Sequence, residues 1–335
     1  MLKNKHISLA HGNGGRLMRE LIEDCFAHHL SNPSLDVHAD AVALPLKDGE
    51  LVFTTDGFTV QPLEFPGGNI GSLAVHGTTN DLAVAGAEPY YLSLNAFIEE
   101  GLEMELLDRI IASLAKSARE LGVHVAAGDT KVLPRGEGGG LYLATTGIGF
   151  RDNAIKLSMK NIKLGDVVMV SGPVGDHGTA VMLAREQFGL RGELLSDATS
   201  VLPFTQCLLN YSGLRFMRDP TRGGLATVMH ELVRTIDFGI NLYQKKIPVR
   251  DEVYSMCEIL GYDPYYLACE GRVVAVIAAE QAEDALIAWR ELPHGNMAAI
   301  IGEITNELNH VVLETTLGGR RILEELEDDP LPRIC

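Results

Sequence analysis

Two spacings of apolar residues alternate along the chain. "ELVFTTDGF" (50–58) is rich in β-forming residues and runs into a glycine, which predicts a strand opening into a loop. "YYLSLNAFI" (90–98) alternates apolar and polar positions as a strand does, and "VHVAAGD" (123–129) and "LYLATTGIGF" (141–150) predict two more. Between them the spacing becomes helical: Leu106, Leu107, Ile110, Ile111, Leu114, Ala118 and Leu121 share one face of 103–121. "NIGSLAVHGTTNDLAVAGAEP" (69–89) predicts a helix stopped by Gly86 and Pro89.

A charged, irregular stretch at 151–165 reads as a boundary. Beyond it "DVVMVSGPVG" (166–175) opens a second unit, with helices predicted near 179–188, 202–211 and 225–236 and strands at 239–243, 272–278, 298–302 and 310–314. The acidic "EELEDD" (324–329) leads into a tail stiffened by Pro330 and Pro332 and ending in Cys335. The expected organisation is α+β in two domains, 1–150 and 151–327, followed by an arm at 328–335, with no short-period repeat.

Composition narrows the class. With 335 residues, 46% of them hydrophobic, the chain can bury a sizeable core in two domains. A net charge of −17 repels phosphate backbones and excludes nucleic acid as a partner. The longest purely apolar run, 273–279, is too short to span a bilayer, and the first residues lack the apolar stretch of a signal peptide. The five cysteines are widely spread without C-x-x-C spacing, so neither a zinc site nor a disulfide framework is signalled. The expectation is a cytoplasmic protein with reduced thiols, in which Cys25, Cys207, Cys257 and Cys269 act as small buried hydrophobes.

Chemistry concentrates in loops that follow strands or open helices. Asp56 in "FTTDGF", Asp81 in "TTNDLA" and Asp129 in "VAAGDTK" each have Thr or Asn beside them. Single Asp-Gly pairs are common turn chemistry, but three such carboxylates in one half suit a hard cation such as Mg²⁺. Asp219 in "RDPTRGGLATVMHEL" reads as a helix N-cap, and Arg222, Gly223 and Gly224 after it expose a guanidinium and main-chain N–H groups to an anion. "HGNGG" (His11–Gly15) precedes a helix near Arg16 and permits close approach of a phosphate. No G-x-x-x-x-G-K-[ST] or well-placed G-x-G-x-x-G occurs, so any nucleotide is held by another fold. Lys131 and Glu270 are surface charges taken alone; beside a phosphate and metal site they become candidates for proton transfer or charge stabilisation, and His76 divides between a polar helix face and the cleft.

Together "HGNGG", "TTDGF", "HGTTNDLAVAGAEP", "GDTKV", "DPTRGGLA", "ACEG" and the terminal "PRIC" resemble the ATP-binding superfamily of aminoimidazole ribonucleotide synthetase, selenophosphate synthetase and thiamine monophosphate kinase. Within it the chain is most similar to the hydrogenase maturation family HypE, the carbamoyl dehydratases, and "PRIC" is the specific motif. The resemblance implies an α+β N-terminal domain whose strands form a barrel across a homodimer, and a C-terminal two-layer α/β domain, with ATP between them. It implies Asp56, Asp81, Asp129 and Asp219 as metal candidates and His11, Gly12, Gly14, Gly15, Asn80, Thr130, Arg222 and Gly223 as cofactor contacts. Cys335, Glu270, Lys131 and His76 are the catalytic candidates. By the same resemblance a carbamoyltransferase, HypF, loads Cys335, the carbamoyl group is dehydrated to a thiocyanate with ATP and Mg²⁺, and the cyanide passes to iron on a HypC–HypD scaffold for a nickel–iron hydrogenase.

The chemistry agrees with the residues. Oxide is a poor leaving group, so the carbamoyl oxygen must be phosphorylated while a base strips the nitrogen protons, in a site that excludes water. The arm from 328 to 335 reaches about 25 Å at ~3.3 Å per residue, enough to visit a partner and return. Two alternatives remain: a superfamily synthetase acting on a free small molecule, against which the terminal thiol speaks, and a non-catalytic metallocentre-assembly scaffold, against which the carboxylate loops speak.

Overall fold

The structure, a computed structural model, describes residues 5–13, 15–37, 39, 41–45, 47–185, 192–307 and 309–326. The first unit begins with α1 (Arg16–Leu21), a π-helical stretch (Ile22–Ala27) and a closing turn α2 (His28–Leu30). Strand β1 (Glu50–Phe58), a short hairpin of β2 (Glu64–Phe65) and β3 (Gly68–Asn69), and helix α3 (Ile70–Val84) follow. Strand β4 (Glu88–Glu99), helix α4 (Met104–Glu120), β5 (His124–Leu133) and β6 (Leu141–Arg151) complete it. The four long strands form a sheet in the order β1-β6-β4-β5, with β4 and β5 parallel and the other pairs antiparallel.

Among the described residues helices cover one face of this sheet only. In β1 the positions Thr54, Asp56 and Phe58 turn towards α3, while Leu51 and Phe53 are 55% and 63% exposed on the other face. Helix α4 buries the stripe Leu107, Ile110, Ile111, Leu114 and Ala118 that its spacing predicts. Helix α3 differs: it is capped by the Asn69 side chain, which accepts from Gly71 N and Ser72 N, and every residue in it is buried except His76 and Asp81. A helix apolar on all sides is one enclosed on all sides.

The second unit supplies the missing wall. It contains β7 (Val167–Val170), α5 (Asp176–Ala184), α6 (Leu202–Leu208), β8 (Leu214–Arg218), α7 (Gly224–Thr235) and β9 (Gly239–Tyr243). Then come α8 (Asp251–Leu260), β10 (Val274–Ile277), α9 (Ala279–Glu291), β11 (Ala299–Thr305), β12 (Val311–Glu314) and β13 (Arg320–Ile322). Its seven strands run in the order β13-β12-β9-β11-β7-β10-β8. Val168, Val170, Val274 and Val276 share a core with Leu225, Met229 and Leu232 of α7. Met169, Ala275 and Ile277 share another with Phe204 of α6 and Ala285 and Trp289 of α9. Helices therefore cover both faces, and this unit has three layers where two were expected, because α6 and α9 bury a second apolar face that β7 and β10 present. Strand β8 and helices α8 and α9 add to the expected elements; of the helix expected at 179–188, residues 186–188 lie outside the described residues.

The two units meet at α3. Asn80, 1% exposed, donates from Nδ2 to the carbonyls of Thr199 and Glu270, each at 3.0 Å, and accepts from Val201 N at 2.9 Å. Ala83 and Val84 join the core beneath α6. A second contact is made by the β2–β3 hairpin: Pro66 O accepts from Ser196 N at 2.8 Å, and Phe65 packs edge-on against His177, 5.4 Å between ring centroids. Cys25, Cys257 and Cys269 are buried as expected, and burial pushes the first two thiols up to about 12; Cys207 is only half-buried. Substituting Asn80→Ala would strand three buried main-chain groups at a cost on the order of 3 kcal/mol. The unfolding midpoint should then fall by roughly 4 °C, measurable by calorimetry; a shift below ~1 °C would show that the junction does not depend on this amide.

Candidate active site

Four carboxylates gather where β1 and α3 face the second unit. Asp56, on the helix side of β1, accepts from Gly57 N at 2.8 Å, and Asp81 accepts from Thr54 Oγ1 at 2.8 Å. Asp219 follows β8 and is 6% exposed; Glu270 lies in the approach to β10 and is 2% exposed. Burial, then the charge of Asp81 and more weakly of Asp56, pushes Asp219 up to about 7. Burial first, then Asp219, Asp197, Asp56 and Asp81, holds Glu270 well above the usual carboxylate range. Burial likewise raises Asp56 and Asp81. The four groups feel one another and form one acidic cluster.

The cations near this cluster are Arg222, which acts on Asp56 and Asp81, and Arg218, which acts on Asp81 and Asp219. Arg218 was not among the residues expected, although "RDPTR" brackets Asp219 with two arginines. The cap of α7 also differs from expectation. Gly223, at φ 70°, occupies the N-cap position, so the Asp219 carboxylate is not spent on capping. Gly224 is left-handed as well, at φ 60°, and a Cβ there would fall 2.5 Å from the Leu267 carbonyl oxygen, so this turn requires glycine.

His76 and Asp81 are the two positions of α3 not fully buried, and both are predicted site residues. His76 lies one turn before Asn80 on the same side of the helix. Burial pushes its imidazole down to about 4, which leaves the ring neutral at physiological pH, and Nδ1 has no hydrogen-bond partner. Asn80 itself is a correction. Its amide, expected to touch the nucleotide, is occupied on both atoms by main chain of the second unit.

Asp129 and Lys131 stand apart from the cluster. They lie on the open face of the sheet, paired at 2.9 Å, and hydrogen bonding to Lys131 holds Asp129 below the usual range. Strand β5 is at the opposite edge from β1, three strand spacings away, about 14 Å. Among the described residues no three acidic, imidazole or thiol groups converge tightly enough to hold a metal ion by themselves. Of the four metal candidates expected from the sequence, Asp56, Asp81 and Asp219 share the acidic cluster, and Asp129 stands on another face.

Around β5 a second subsite forms. Thr130 is buried, its Oγ1 lacks a hydrogen-bond partner, and it lines a cavity of about 170 Å³ together with Phe26, Leu30, Leu35, Val37 and Leu94. Gly12 packs on Val132 next to it, Gly15 caps α1, and His11 is buried, with Nδ1 bonded to Ser8. Gly14 and Cys335 lie outside the described residues.

Comparison with known proteins fixes the class. The family profile of the AIR synthase related protein, N-terminal domain, matches residues 38–150, and that of the C-terminal domain matches residues 163–313. Carbamoyl dehydratase HypE of Azotobacter vinelandii is 44% identical over 100% of this chain and 98% of its own length. The crystal structure of hydrogenase maturation protein HypE in complex with ATP superposes with a TM-score of 0.92 at 42% identity, over 98% of this chain and 99% of that one. A chain of the HypE–HypF complex gives 0.80 at 41% identity, over 91% and 99%. This chain belongs to the HypE family.

The raised acid range of Asp219 has a consequence for stability. The native state keeps a proton on Asp219 up to about pH 7, whereas the unfolded chain releases it near ~4. Native protein therefore binds more protons across that window, and its stability declines as pH rises through it. Nucleotide-free Asp219→Asn should match the wild-type unfolding midpoint near pH ~4 and exceed it at pH ~8; parallel pH curves for the two proteins would contradict the assignment.

Proposed function

We propose that this chain is an ATP-dependent carbamoyl dehydratase that converts a carbamoyl group on its own Cys335 to a thiocyanate, as a homodimer in the cytoplasm. The observation that carries the reading is the cluster of Asp56, Asp81, Asp219 and Glu270 in the cleft of a chain alike over its whole length to a HypE bound to ATP. In the reaction the carbamoyl oxygen attacks the γ-phosphorus, ADP leaves, and the nitrogen gives up its first proton to water or phosphate. The S–C(–O–PO₃)=NH group then loses its N–H proton to a base, and phosphate departs with the C–O electron pair to give S–C≡N. Glu270 is the base: it is buried beside the carboxylates that would face the phosphates, whereas Lys131 is exposed and ion-paired with Asp129. The unpartnered, neutral imidazole of His76 is suited to hold the carbamoyl group by a hydrogen bond.

The cluster fits Mg²⁺ by its chemistry, since buried carboxylates lifted by burial and mutual repulsion are relieved by a hard cation. Asp56, Asp81 and Asp219 would hold it together with phosphate oxygens and water, and it would neutralise charge on the transferring phosphoryl group. Arg222 and the Gly223 turn would face the phosphates, and the cavity beside Thr130 offers apolar walls for the base of the nucleotide.

A homodimer reconciles the two subsites. The exposed Leu51, Phe53 and Phe97 leave an apolar open face on the N-terminal sheet. Closing two such sheets into a barrel joins the β5 edge of one copy to the β1 edge of the other. One protomer's β5, which carries Asp129, Thr130 and Lys131, would then lie beside its partner's β1. HypF as the donor of the carbamoyl group and a HypC–HypD iron scaffold as acceptor of the cyanide complete the proposal; a solved HypE–HypF complex supports the first.

Intact mass tests the reading. After incubation with the carbamoyltransferase, carbamoyl phosphate and ATP, wild type should gain a carbamoyl mass and then lose one water, and Cys335→Ala should gain nothing. Unmodified wild type that hydrolyses ATP only with an added metabolite would favour a free-substrate synthetase.

A further inference from the structure

The segment that carries Glu270 is fixed residue by residue, from both units. Cys269 N donates to Pro220 O at 3.0 Å, which ties the segment to the Asp219 turn. Glu270 N donates to Asp197 Oδ1 at 3.1 Å, and Glu270 O accepts from Asn80 Nδ2 at 3.0 Å. A Cβ on Gly271 would fall 1.8 Å from the Asp197 main-chain oxygen, so the two strands of chain touch there. Val273 N donates to Ser171 Oγ at 2.9 Å.

Asp197 is the hub of this arrangement. Its side chain is wholly buried, and its second oxygen, Oδ2, lies 3.3 Å from Arg272 Nε. Arg272 is in turn held by Pro173 O at 2.9 Å and by Asp176 Oδ2 at 3.4 Å, and Asp176 also pairs with Arg250 at 2.9 Å. Asp197, Asp176 and Arg272 are thus buried together, and Arg250, 42% exposed, reaches Asp176 from the surface. Such a network is costly to desolvate, and structure alone does not require it, since apolar packing of the same volume serves as well. What it does that apolar packing cannot is grip a main-chain N–H with a buried carboxylate whose charge an arginine offsets; Asp197 Oδ2 has no hydrogen-bond partner and faces Arg272 as an ion pair alone.

We propose that Asp197 is a positioning residue for the dehydration: backed by Arg272, it sets where the Glu270 carboxylate stands relative to the Asp219 turn. The proposal rests on the reading that Glu270 takes the proton. Asp197 touches neither phosphate nor carbamoyl group, so its loss should slow the chemical step and leave nucleotide affinity alone. A displacement of about 1 Å at a reacting group costs on the order of 100-fold in rate.

The test is single-turnover dehydration of the carbamoylated full-length protein, followed by loss of one water in the intact mass, with the ATP concentration varied. Asp197→Ala should lower the limiting rate roughly 100-fold with half-saturating ATP changed less than about twofold. Asp197→Asn, which keeps an acceptor oxygen for Glu270 N but no charge for Arg272, should recover about tenfold of that loss. Should the alanine variant not fold, the isosteric asparagine variant carries the test by itself, with an expected loss of roughly tenfold at unchanged ATP dependence. The proposal is overturned if the rates stay within about threefold of wild type, or if half-saturating ATP rises in step with the loss, as general damage to the cleft would produce. Glu270→Gln separates the two levels. If it dehydrates at the wild-type rate, the role of Glu270 and this inference fall together; if it is inactive while the Asp197 variants are not, only the positioning role falls.

Discussion

Helix α3 has no free side, and the arrangement of the whole chain follows from that. Its apolar residues face the first sheet and α4, its C-terminal turn enters the core of the second unit, and Asn80 closes the gap with three hydrogen bonds to main chain. A buried amide with all its partners in place specifies one geometry, because any slip of α3 would leave donors and acceptors unpaired in a region without water. The two units are thereby locked together at the point where Asp81 and Glu270 must meet. A hinge between the units is the wrong picture for this cleft.

That rigidity explains how four carboxylates are held so close. Asp56, Asp81, Asp219 and Glu270 come from a strand, a helix and two turns, and none of these elements would choose the others' charge as a neighbour. Burial raises all of them and repulsion adds to it at Asp81, Asp219 and Glu270, and the energy is supplied by the apolar packing on either side of α3. The electrostatic tension is stored where phosphate and a divalent cation would release it, so the site is poised for charged ligands that the chain itself does not provide. Arg218 and Arg222 moderate the tension without cancelling it.

Topology adds a second constraint. Alternation along β1 and β5 sends Asp56 to the helix side and Asp129 to the open side, and the strand order places them at opposite edges. One chain therefore keeps these carboxylates apart, next to an apolar face that its described residues leave exposed at Leu51, Phe53 and Phe97.

Much of this was legible in the sequence. The spacing of apolar residues marks β1, α4 and β9 to within a residue or two, because burial of one face imposes a period on the chain regardless of what covers it. The motifs that carry Asp56, Asp81 and Asp219 were also marked in the sequence, although Asp56 lies within β1 and Asp81 within α3 where loops were expected. Helix α9 was missed, although Ala282, Ala285, Leu286 and Trp289 mark its buried face. What the sequence leaves undecided is set by contacts between residues far apart in the chain. Asn80 and Thr130 sit beside similar aspartates, yet one amide is consumed by the second unit and one hydroxyl is left for a cavity. Asp197, with no motif around it, becomes the group that grips Glu270, 73 positions away. Periodicity and composition are local properties and fix local structure; which polar groups are left free to act depends on which partners the fold brings to them, and only the tertiary structure decides that.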